Sequence, residues 1–175
     1  MKTTNTHFNT TFSLLACAVC LTVSQTVHAV DGLVIPEKLK VPAGNQVVLE
    51  TFVTEGVQTY KCSSAYKYEF LGPTAMLRGT AGQYVAHFFG PRFDYHDGSG
   101  VLVKLVASNP RDNAIAELLL KVGEHKGLGA FSKVNYVQRL QTSGGVPPTQ
   151  CNPAVDKKTL PVPYFAHYRF WAPKQ

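Results

Sequence analysis

The chain has little of what usually announces a chemistry. Its 175 residues include four cysteines, two methionines and one tryptophan. Acidic residues number 11 against 17 cations, for a formal charge of +6. Those cations stand singly or in pairs such as Lys157-Lys158, without a run of five or more, so the clustered basic face of a nucleic-acid binder is missing. No apolar run reaches the ~20 residues that a membrane-spanning helix needs. Neither a G-x-S-x-G elbow nor an H-E-x-x-H pair occurs, which removes two common hydrolase signatures. Low-complexity blocks and charge tracts are absent as well.

What is present begins with an export pattern. Lys2 gives a positive start, Phe12 to Val23 is a short apolar segment, and Val27-His28-Ala29 supplies a small residue before a cut. This predicts a cleaved signal peptide over 1–29 and one secreted domain over 30–175. A retained anchor would need a longer apolar run. Lipoprotein processing at Leu14-Leu15-Ala16-Cys17 is disfavoured, because Leu15 stands where a smaller residue is usual. A domain of this length can bury a true core without metals or many crosslinks.

After cleavage Cys62 and Cys151 remain, an even number in an oxidising compartment, and they are expected to pair. The bridge would close a loop of about 90 residues. The alternatives are two free thiols or a metal pair, the latter without the C-x-x-C spacing that zinc sites favour.

Short β-rich runs recur between Gly, Pro, Asn and Asp, which predicts an all-β sandwich or barrel-like domain with long loops. The expected strands are Gln46–Val53, Val57–Cys62, Lys67–Leu71, Tyr84–Phe89, Val101–Ala107, Val134–Leu140 and Tyr164–Trp171. Gln58, Tyr60 and Cys62 alternate with Val57, Thr59 and Lys61, which puts Cys62 on the inward face with Tyr60. Ile115, Leu118, Leu119 and Val122 fit a helical template, while Leu118-Leu119-Leu120 also reads as a buried strand. Gly72-Pro73 and Gly90-Pro91 are each expected to end or bend a strand.

Six ordered blocks carry a resemblance: "VPAGNQVV" (41–48), "GVQTYKC" (56–62), "GPTAML" (72–77), "HFFGPRFDYHDGSGV" (87–101), "QRLQTSGGVPPTQC" (138–151) and "VPYFAHYRF" (162–170). Their order and spacing resemble the secreted domain-of-unknown-function family 3455 of bacteria and fungi. The resemblance implies a secreted β-rich domain, with Cys62 and Cys151 at family cysteine positions, and carries no secure activity. It also tilts Ile115-Ala116-Glu117-Leu118 towards strand, because relatives carry a Pro there that disfavours a helix interior. Phe93 stands where relatives usually have Trp. Some fungal members bear the label malate dehydrogenase, which this sequence does not support. Gly127-Leu128-Gly129 is followed by Ser132 and lacks the strand-turn-helix context of a dinucleotide site.

The stretch His87 to Gly100 holds the candidate site residues His87, Arg92, Phe93 and Asp97. Tyr84 to Phe89 is apolar on both faces, so His87 reads as a hydrogen-bonded residue of a strand covered on both sides. Asp97-Gly98 is explained by turn chemistry, closing a hairpin into Val101–Ala107. A metal reading would join His87 and His96 to Asp94 or Asp97. His125, in "GEHKG", is expected to be solvated, and His167 lies inside the last strand. No catalytic residues, metal or cofactor are assigned. The expected function is a periplasmic or extracellular binding or structural module, with a small molecule, glycan or envelope protein as partner. A small secreted hydrolase or metal-dependent enzyme using the His87/Asp97 region is the alternative.

Overall fold

A computed structural model describes residues 33–175. The expected leader, with Cys17 and Cys20, lies outside the described residues. Eight strands follow one another: β1 (Asn45–Cys62), β2 (Tyr68–Arg78), β3 (Tyr84–Phe88), β4 (Arg92–Tyr95), β5 (Gly100–Arg111), β6 (Ala114–Lys126), β7 (Tyr136–Gly144) and β8 (Leu160–Pro173). Each pairs antiparallel with the next and β8 returns to β1, so the sheet is a closed barrel in chain order. Of the sandwich and barrel expected, the barrel is what forms, and the ambiguous segment around Leu118 is strand β6.

The two-residue alternation explains the core. Val85, Phe93, Val101, Val137 and Phe170 point inward and are fully buried, while Lys61, Lys104 and Lys121 are exposed. Gln58, Tyr60 and Cys62 are buried together, as the pattern predicts.

Several details differ from or narrow the expectations. Gln46–Val53 and Val57–Cys62 are one strand, interrupted between them by irregular pairing that does not end it: the β1 register shifts between Val53 and Glu55 against β2, and between Phe52 and Val57 against β8. A Cβ on Gly56 would come within 2.6 Å of Val53 Cγ1 and 3.0 Å of both Ala75 and the Tyr164 ring. Of the two outcomes expected for Gly72-Pro73, an interruption inside β2 is what forms and not its end: the β1–β2 register shifts beside it, between Thr59↔Gly72 and Tyr60↔Phe70. Pairing with β3 begins only at Thr74, so Pro73 occupies a place where one flank has no partner strand. Strand β3 is covered on one side only, since Tyr84 is exposed while Val85 and His87 are buried.

Outside the barrel, a short 3-10 turn (Glu37–Leu39) buries Leu39 completely. Gln138 Nε2 donates to the Leu39 carbonyl at 2.6 Å, and Trp171 Nε1 donates to Gln138 Oε1 at 2.7 Å. These bonds satisfy an amide that has no exposure to water.

The disulfide forms as expected. Cys62 ends β1 and Cys151 lies in the β7–β8 loop, with Cα atoms 5.8 Å apart and both residues buried. The Cys151 N–H donates to the Tyr66 carbonyl (3.1 Å), tying the same loop to the β1–β2 turn. Replacing both cysteines with serine should lower unfolding free energy by ~2–5 kcal/mol, because the unfolded chain regains a loop of 89 residues. Urea unfolding of the oxidised protein and the double variant checks this, with a clear fall in midpoint as the expected result.

Candidate functional site

The barrel wall has a notch, and strand lengths create it. The β3–β4 hairpin turns at Phe89–Pro91, and β4 pairs with β5 only from Gly100 to Leu102. On one side β2 continues over Tyr68–Pro73, and on the other β5 continues over Lys104–Arg111, with no strand between them. A cavity of about 360 Å³ opens there and runs into the barrel. The exposed Phe70, Pro91 and Leu105 line it from the flanking elements, and Pro73, Leu118 and Tyr168 belong to its wall. Eight-stranded barrels have an interior either filled by side chains or able to hold one small ligand. Here packing fills one part, around Phe93, Phe131 and Phe170, and leaves the other open.

Five residues with polar side chains line this cavity: Gln58, Tyr60, His87, Arg139 and Tyr168, whose hydroxyl lies 3.4 Å from that of Tyr164. Arg139 is set by an interruption in the β6–β7 ladder, which skips from Ala114↔Gly144 to Leu118↔Arg139. Side chains satisfy the backbone groups freed there. Arg139 Nε donates to the Ala116 carbonyl at 3.0 Å, Thr142 Oγ1 donates to the Ile115 carbonyl, and the buried Glu117 accepts from the Gln141 N–H (2.9 Å) and Asn109 Nδ2 (2.9 Å). Gln141 adopts a left-handed backbone (φ 49°) within this bulge. Tyr60 donates its hydroxyl to the Gly145 carbonyl at 2.7 Å, and burial raises its pKa. Gln58 is 2% exposed and its Nε2 has no hydrogen-bond partner among the described residues.

His87 stacks on Phe93 with ring centroids 4.0 Å apart and planes 1° from parallel. Its Nδ1 lies 2.9 Å from the Arg92 carbonyl, an acceptor, so Nδ1 carries the proton and Nε2 keeps its lone pair. Burial pushes its pKa down to about 4. Phe93 has no exposure and belongs to the core. Arg92 is not among the residues lining the cavity; its Nε donates to Asp94 Oδ1 at 2.8 Å and its guanidinium lies over Phe88.

Asp97 sits at the other end of β4, in the β4–β5 turn. Its Oδ1 accepts from the Ser99 N–H (2.8 Å) and the Ser99 hydroxyl, and its Oδ2 accepts from the Ala130 N–H (2.8 Å). The Ser99 hydroxyl bond, then those from the Ala130 and Ser99 backbones, hold the carboxyl below its ordinary pKa. The structure therefore brings His87, Phe93 and the Arg92 carbonyl together, and leaves Asp97 as a clasp between two turns.

His125 is exposed but lies in β6, not a loop, and its Nε2 is 2.8 Å from the Val134 carbonyl. His167 is buried on β8, stacked 4.4 Å from Phe52, and burial lowers its pKa. No group of three or more His, Cys, Asp or Glu side chains that could hold a metal occurs among the described residues. Ser64 and Lys67 have S-x-x-K spacing, yet they stand in the exposed β1–β2 turn. Sequence reasoning did not single out Gln58 and Arg139: both lie in blocks that carry the resemblance, 56–62 and 138–151, but in no catalytic or binding signature, and the one signal was Gln58 in phase with Tyr60 and Cys62.

Two measurements check these assignments. Above about pH 6.5 His87 is neutral folded or unfolded; below it the unfolded chain takes a proton that the folded site refuses until about pH 4. The His87 contribution to stability should therefore fall by roughly 3 kcal/mol between these pH values, and His87→Phe should flatten that slope in urea unfolding. Asp97→Ala should lower the melting temperature while leaving the cavity's binding properties unchanged, as read by thermal unfolding beside ligand titration.

Among known proteins, a family model described as "Protein of unknown function (DUF3455)" matches residues 79–172, the span from the β2–β3 turn to the end of β8. No curated protein and no solved structure matches the chain. The match includes His87, Arg139, Cys151 and Tyr168, whereas Gln58, Tyr60 and Cys62 precede it. Since the matched span exceeds half of its length, the chain belongs to the DUF3455 family of proteins of unknown function.

Proposed function

We propose that the protein is a binding module acting outside the cytoplasm, and that it takes a small, largely apolar molecule into the barrel through the notch. The observation that carries this reading is the cavity itself, about 360 Å³, open to one side and walled mainly by aliphatic and aromatic side chains. Its size falls at the lower end of the ~300–1,000 Å³ usual for small-molecule sites. The wall is preorganised: the disulfide and the Tyr60–Gly145 hydrogen bond fix the β7–β8 loop to β1 beside it. Exposed Phe70, Phe89 and Leu105 give the entrance an apolar approach.

The disulfide and the leader pattern of 1–29 both support export to an oxidising compartment. No described helix is long and apolar enough to cross a membrane. A hydrolase built on His87 and Asp97 has less support, because the two side chains serve different ends of β4.

The test uses the neutral fluorophore N-phenyl-1-naphthylamine, whose emission rises in apolar surroundings. Saturable binding of one probe per chain is expected, and Leu118→Trp should abolish it while circular dichroism stays unchanged. A wild-type protein that shows no saturable enhancement overturns the reading.

A further inference from the structure

The cavity's polar groups are unbalanced in one direction, and that imbalance names a ligand class. Of the residues lining it, Arg139 alone carries a fixed charge, and no Asp or Glu lines the cavity. Among the described residues no carboxylate pairs with Arg139, whereas Arg92 is paired with Asp94 and Arg169 with Glu50. Its Nε is committed to the Ala116 carbonyl, which holds the guanidinium in place and leaves the two terminal nitrogens as donors. Gln58, almost wholly buried, adds a second donor without a partner. A buried donor left unsatisfied carries a desolvation cost, and a partly buried cation without a counter-charge adds to it.

We infer that the cavity recognises an amphipathic monocarboxylate, its carboxylate received by the Arg139 guanidinium and the Gln58 amide and its apolar body lying against Leu118, Ile115, Leu105 and Phe70. The inference rests on the binding reading above and specifies its ligand. A guanidinium presents paired donors that match a carboxylate's two oxygens. A single cation balances a single negative charge, so a phosphate monoester dianion would leave one charge uncompensated in a largely apolar cavity. Tyr60 is no rival donor, because its hydroxyl proton is held by Gly145. The volume suits a medium-length chain or a single-ring acid and excludes a two-chain lipid.

The experiment is calorimetric titration of the processed, oxidised protein with decanoate, 1-decanol and decyl phosphate. Decanoate should bind about tenfold or more tightly than 1-decanol, the margin of one charge-assisted hydrogen-bonded contact. Arg139→Met should erase the margin of decanoate over 1-decanol, and Gln58→Leu should reduce it in part. Should Arg139→Met fail to fold, Arg139→Lys, which keeps the charge but loses the paired donors, should narrow the margin. Equal affinity of the wild type for decanoate and 1-decanol, or an undiminished margin in Arg139→Met, overturns the inference. Tighter binding of decyl phosphate than of decanoate overturns the carboxylate assignment. If the neutral fluorophore and 1-decanol bind but decanoate gains nothing, the binding reading survives and the ligand class falls. If none of them binds, it is the binding reading that has failed.

Discussion

β1 is flanked by β2 and β8 along most of its 18 residues, and its pairing with both is irregular between Phe52 and Val57, the stretch that holds Gly56. At that point Val53, Ala75 and Tyr164 crowd the backbone so closely that no side chain fits. The bulge there increases the local twist, which lets the two halves of one strand serve different stretches of β8. Closure in turn removes the free edges that an open sheet would have to protect, except where the short β3–β4 hairpin leaves a gap.

That gap turns a packed barrel into one with an interior site. Around Phe93, Phe131 and Phe170 the interior is filled by aromatic contacts, so this part behaves as an ordinary core. Towards the notch the same inward alternation delivers Tyr60, His87, Arg139 and Tyr168 to a space they do not fill. His87 belongs to both regions: its ring is part of the aromatic stack, while its environment keeps it neutral. The polar groups of the site are supported by irregularities in the sheet. The break in the β6–β7 ladder presents the Ala116 carbonyl that anchors Arg139, and Glu117 and Thr142 satisfy the backbone around it. The loop carrying Cys151 and Gly145 is held to the end of β1 by a covalent bond and a tyrosine hydroxyl, which fixes the site's border with little conformational freedom to lose on binding.

From the sequence alone the β class, the pairing of Cys62 with Cys151, the inward face of Gln58, Tyr60 and Cys62, the β4–β5 hairpin and the family could all be read. Each depends on local pattern or composition: two-residue alternation, turn residues such as Asp97-Gly98, an even cysteine count, and ordered motif blocks. Tertiary structure decided that the sheet closes, that one strand runs through Gly56 where two were expected, that Gly72-Pro73 lies inside β2, and that Asp97 bonds Ala130 and not His87. It also decided the site, because Gln58 and Arg139 lie on β1 and β7, far apart in sequence, and acquire a shared cavity only through the register of strands between them. Alternation tells which face a residue takes, but which faces meet, and where a neighbouring strand falls short, is set by pairing between distant segments.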